Sequence, residues 1–199
     1  MNLASTSQLP AAPADRDRQQ YLKFLLQPGL MALIEIECVS ELMEIPLDRV
    51  VPMPHLPPAV KGIYNWRGEI LWIVDLAMLL GLEGNSPSQY RRIQPTIMMS
   101  SAAERDTDGS LQSYGSARYS TPATDRLERR AAKTIGVLVD EIVDIEWCQI
   151  DLIRSVLPDR LQPELATGVL GMWTSTAEEN FLVLDGRAIL ERADLHADV

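Results

Sequence analysis

One pattern constrains the fold of this chain more than any other, and it occurs twice. It is a strand, a glycine hairpin, a second strand, an Asp cap and a short helix. In the first copy, Gly62-Ile63-Tyr64-Asn65-Trp66-Arg67-Gly68 leads into the run Glu69–Asp75. Asn65-x-x-Gly68 between two β-rich stretches reads as a hairpin loop. Asp75 then caps a short helix, Leu76–Leu80, which Gly81 ends. In the second copy, Ala166–Gly171 parallels Val60–Asn65. Leu182–Asp185 with Ala188-Ile189-Leu190 parallels Ile73–Asp75 with Met78-Leu79-Leu80. Two such copies imply two similar subdomains. Short strands, regular turn signals and the lack of a long helix point to an all-β chain of small packed barrels.

The remaining segments fit around these copies. Tyr21–Leu26 is a short apolar run closed by the turn Pro28-Gly29, and Ile34–Cys38 alternates apolar and charged residues. Val39–Ile45 suits a helical turn running into a strand. Prolines crowd Pro52–Pro58 and bound Pro158–Pro163, and each stretch reads as an extended connector. Thr134–Val139 and Ile142–Trp147 are two more β-rich runs. Ser100–Lys133 differs in kind: its 34 residues hold no Val, Ile, Phe, Trp or Met. Such a composition cannot offset an ordering entropy of about 1–2 kcal/mol per residue, so it reads as a flexible insertion, 100–133. Residues 1–20 and 193–199 read as loose tails. The folded domain spans 21–192, with subdomains at roughly 40–99 and 134–170 and termini crossing between them.

The chemistry of the chain excludes more than it offers. Its net charge of −10 and pI near 4.7 repel phosphate backbones, which argues against nucleic acid. Arg91-Arg92 and Arg126/Arg129/Arg130 are its basic patches. The longest apolar stretch, Ile70–Leu82, is thirteen residues interrupted by Asp75; a span needs about 20. With no secretory signal visible, the expectation is a cytoplasmic protein. Cys38 and Cys148 read as buried, reduced thiols. His55 and His196 lie in no catalytic motif, and Asp106-Thr107-Asp108-Gly109 lacks the closing Glu of a calcium loop. No catalytic, cofactor-binding or metal-binding residues are expected, and the chain is not read as an enzyme. Asp144 and Glu146 are read as a solvated face, with Val143, Ile145 and Trp147 on the other. Trp72 and Trp147 are read as barrel core, Trp173 as open to exposure, and Trp66 as either core or interface.

Pro57-Pro58-Ala59-Val60-Lys61-Gly62 followed by Asn65-Trp66-Arg67-Gly68 and Val74-Asp75-Leu76 strongly resembles the CheW family of chemosensory coupling proteins. The resemblance runs in order through 21–99 and 134–192, with Trp66 where the family usually has Leu. It implies two five-stranded SH3-like barrels and a scaffold that couples a chemoreceptor's cytoplasmic tip to the regulatory domain of a CheA-type histidine kinase. The pathway is flagellar, or pilus- or phototaxis-linked. The alternative is a regulatory or structural protein of the same fold without a kinase partner. The resemblance places kinase contact at Val39, Glu41 and Leu42, and receptor contact at Gly62, Asn65, Trp66, Arg67 and Val139. Glu41 is the candidate partner for Arg67, whose bland reading is a solvated surface arginine.

Overall fold

The computed structural model describes residues 18–82, 91–101, 134–158, 161, 167–175 and 177–194. The expectations for the N-terminal tail up to residue 17, for 102–133 and for 195–199 lie outside them. Among the described residues, ten strands and two α-helices follow one another: β1 (Arg18–Gln27), β2 (Leu30–Glu35), β3 (Val39–Pro46), β4 (Val60–Trp66), β5 (Glu69–Asp75), α1 (Leu76–Leu79), β6 (Ile93–Ser100), β7 (Thr134–Leu138), β8 (Glu141–Gln149), β9 (Val169–Thr174), β10 (Asn180–Leu184) and α2 (Gly186–Asp194). They form two five-stranded sheets, ordered β3-β6-β7-β5-β4 and β8-β1-β2-β10-β9. The all-β expectation holds.

Each sheet curls round its own small core. Ile45, Leu71, Ile73, Met98 and Leu138 meet Met43, Tyr64 and Trp66, so all five strands of the first sheet reach one cluster. Tyr21, Leu33, Cys148, Trp173, Phe181 and Val183 do the same in the second. The largest core lies between the barrels. There Leu22, Phe24 and Ile34 from one sheet meet Val74, Ile97 and Val137 from the other, with both helices sealing the seam. A strand offers one face to its barrel and the other to this seam, which is why many strands are apolar on both faces.

Several local expectations change. Arg18–Gln20 and Ala193-Asp194, read as tail, belong to β1 and α2, because β1 pairs with β8 from Arg18 onward and α2 runs on to Asp194. Val39–Ile45 is strand throughout; the helical turn, Ile36–Cys38, precedes it. Pairing with β6 imposes period two, so Met43 and Ile45 point inward while Leu42 and Glu44 point out. Residues 134–138 lie in the first barrel, not the second, because β7 pairs in parallel with β5. The second barrel is instead completed by β1 and β2.

Register makes the repeat explicit. The row Leu42, Ile97, Val137, Val74, Val60 crosses the first sheet, and Ile145, Leu22, Ile34, Leu184, Val169 crosses the second. Strands β3, β6, β7, β5 and β4 thus match β8, β1, β2, β10 and β9. Gly171, not Gly168, is the counterpart of Gly62. Each follows a bulge at positive φ (148° and 140°), and a side chain there would collide with the carbonyl of Arg154 or Val51. Gly168 matches Ala59 instead, since their carbonyls accept from the N–H of Asp185 and Asp75.

Candidate functional site

The β4–β5 hairpin turns on Arg67 and Gly68, both left-handed at φ 51° and 90°. A two-residue loop with positive φ at both positions follows the twist of its strands. Asn65 fastens the turn by accepting the Gly68 N–H at its Oδ1 (3.0 Å). Arg67 is therefore presented by a rigid tip. Its guanidinium lies 4.6 Å from the Trp66 ring centroid, within cation–π range. Its Nη2 reaches Glu41 Oε1 at 3.4 Å. Glu41 belongs to β3 and Arg67 to the β4 end of the sheet, so this pair bridges the two edges where the barrel closes. The Arg67 side chain remains 64% exposed, and such pairs stabilise by only about 0–1 kcal/mol. Its value lies in orientation. Trp66, left open as core or interface, is half-buried against the first barrel's core and carries the guanidinium on its ring.

Beside this tip, Leu42 is 44% exposed on β3. Val39 is half-buried against the inter-barrel seam. Glu41, Leu42, Asn65 and Arg67 are thus at the surface, with Trp66 and Val39 behind them. Two of the expected contact residues are elsewhere. Gly62 is buried, and its role is to let β4 pass the Val51 carbonyl. Val139 is 2% exposed in the seam, where its N–H donates to the Pro95 carbonyl. Neither can touch a partner directly in this conformation.

A second face escaped the sequence reading. On the outer side of β8, Val143, Ile145 and Trp147 are all about half exposed (46–52%), forming an apolar stripe. Trp147 is not barrel core; Trp173, at 5% exposure, is, stacked 5.7 Å from Phe181. Trp72 packs outward into the seam rather than into its barrel. On β8 the two acids part: Asp144 is exposed, as expected, whereas Glu146 is half-buried and reaches in to Lys23 at 3.4 Å, with Lys23 5.7 Å from the Phe181 ring. One signal could have found this. Cys148 shares its parity with Glu146 and not with Trp147, so a buried Cys148 turns Trp147 outward on a strand of period two. Burial of that thiol pushes its pKa up to about 12, with the charge of Glu146 acting in the same direction.

Two curled sheets joined by a broad apolar seam, with an ion-paired hairpin tip and an apolar edge stripe, define a two-barrel, all-β domain. The CheW-like domain model matches residues 20–194, and the chain belongs to that family. Among solved structures it is similar to the scaffolding protein TtCheW from Thermoanaerobacter tengcongensis, with 14% identity, a TM-score of 0.57 and 89% of each chain covered. At that identity the likeness is one of fold. No curated protein matches the chain. Among the described residues, no group of three or more His, Cys, Asp or Glu is placed to hold a metal ion. None of the described helices is long and apolar enough to cross a membrane.

Proposed function

We propose that this chain is a non-catalytic cytoplasmic scaffold that couples chemoreceptor tips to a CheA-type histidine kinase. The observation that carries the reading is the first-barrel tip, where Arg67, braced by Trp66 and Glu41, stands beside the exposed Leu42. A rigid arginine next to an apolar anchor with a charged rim is the layout of a modest protein interface. Glu41 and Leu42 form the kinase contact, with Val39 supporting them. Asn65, Trp66 and Arg67 form the receptor-linked contact. The β8 stripe extends the apolar surface along the second barrel, and a row of side chains at strand spacing suits the flank of a helix. Gly62 and Val139 serve this site through backbone shape and packing.

The test is Arg67→Glu in a reconstituted receptor–kinase assay. Melting is expected to stay within scatter of the wild type, because an exposed pair contributes little. Receptor-dependent kinase activation is expected to be lost. Adding Glu41→Arg is expected to restore part of it, since the two charges meet. Normal coupling by the single variant would overturn the assignment. Failure of the wild-type chain to bind the kinase at all would favour a scaffold of this fold that works without one.

A further inference from the structure

Glu35 ends β2, and the turn Ile36–Cys38 crosses directly from there into the first barrel. A cavity of about 260 Å³ opens at this joint, lined among others by Glu35, Glu37, Cys38, Asp185 and Arg187. Three carboxylates, Glu35, Glu37 and Asp185, therefore line one small space. Asp185 is committed to the start of α2, accepting the N–H groups of Arg187 (3.0 Å) and Ala188 (3.1 Å) at one oxygen. Glu35 accepts from the Cys38 thiol at 3.8 Å, a weak donor. That thiol is wedged against Gly186, where a Cβ would lie only 2.6 Å from the sulfur. The crossover, the thiol and the first turn of α2 are thus packed as one unit. A proton entering the cavity has Glu35 as its natural acceptor, because the Asp185 carboxylate is already occupied by backbone donors and Glu37 is exposed to solvent.

We propose that this joint is a proton-sensitive clasp between the barrels: protonated Glu35 holds the β2–β3 crossover against α2, and ionised Glu35 loosens it. The surroundings agree in sign. Burial raises the Glu35 pKa above its ordinary 4.5, and the charges of Asp185 and Glu37 raise it further. Arg187 and the Cys38 hydrogen bond act against them. Tyr21, from β1, also senses the Glu35 charge. A carboxyl whose pKa is higher in the folded state stabilises fully below its unfolded value. That contribution is lost as pH rises through the folded value.

The experiment measures hydrogen-exchange protection of the Ala188–Leu190 amides between about pH 4.5 and 8, in the wild type and in Glu35→Gln. A swing of at least about threefold in protection factor is expected in the wild type, since the clasp is linked to one proton. Glu35→Gln, which mimics the protonated side chain, is expected to stay at the protected level throughout. The same pH profile in both proteins would overturn the proposal, as would lower protection in the variant at pH 8. In case the variant does not fold, carbon-detected NMR of the wild type titrates the Glu35 carboxyl directly. A midpoint above 4.5 that moves together with the Gly186–Leu190 amide shifts is expected. A midpoint at or below that value would overturn the clasp.

Discussion

The two barrels share a register and differ in what they place on it. On the outer edge, Ser40, Leu42 and Glu44 of the first barrel correspond to Val143, Ile145 and Trp147 of the second. On the hairpin face the contrast reverses. Ile70, 69% exposed, corresponds to Asn180, which hydrogen-bonds Thr174, and Val51 corresponds to Arg154. Inside, Met43 and Met98 occupy the places that Glu146 and Lys23 take in the second barrel. Backbone hydrogen bonds and glycines fix the shape, so side chains pointing out of it are free to diverge. A symmetric frame thereby acquires unlike faces, which a scaffold needs if it is to hold unlike partners.

The strongest test of the shared frame is Gly62→Ala beside Gly171→Ala. Each puts a Cβ into a backbone carbonyl at positive φ. We expect each to cost about 3 kcal/mol or more in urea unfolding, at the upper end for strained backbone. A mild effect at only one of the two would break the equivalence. Next come the tryptophans. Trp173→Ala is expected to cost about 3–5 kcal/mol, as a large core residue does. Trp147→Ala is expected to stay within about 0.5 kcal/mol of wild type, as surface changes do. Equal losses would put the stripe of β8 back into a core.

A smaller effect separates the interiors by pH. Cys148 and Tyr21 sit in the second barrel's core with pKa values pushed up to about 12, mainly by burial. Cys38, in the seam, is raised to about 11 for the same reason. The unfolded chain releases these protons first, near the ordinary values of 9 and 10, so stability falls as pH rises from about 8.5 towards 12. Cys148→Val is expected to reduce the slope of unfolding free energy against pH by about one proton. An unchanged slope would mean that Cys148 ionises as readily folded as unfolded.

The last prediction distinguishes the outer edges. Leu42→Ala is expected to weaken kinase binding by about 1–2 kcal/mol in calorimetry while sparing receptor binding. Ile145→Ala is expected to do the converse. If both variants lose the same partner, the two edges form one surface.

The local grammar of the chain was legible in the sequence. Asn65, Gly68 and Asp75 announced a hairpin and a cap because their chemistry acts within three residues, and the structure shows both bonds. Long-range pairing was not legible. Nothing in Thr134–Leu138 tells it to run beside β5 rather than β8, since parallel neighbours are chosen by the whole sheet. Thr167–Gly171 contains two glycines, and only the Arg154 carbonyl singles out the second. The tip around Arg67 was found for the same reason as the hairpin. The β8 stripe was missed because which face of a strand is buried depends on what packs against it.

The order of the strands has a consequence for synthesis. Everything the first barrel needs lies between Val39 and Leu138, whereas the second takes β1 and β2 from before that stretch and β8 to β10 from after it. On a ribosome, which delivers about 5–20 residues each second, the opening hairpin emerges long before its mates. Its apolar outer row of Leu22, Phe24 and Leu26 has a ready surface to wait on: the back of the first barrel, where the seam forms. The strand order thus allows the contiguous barrel to serve the interrupted one as its template. The last strand, β10, slides in beside β2 to close a ring whose first segment was made some 150 residues earlier.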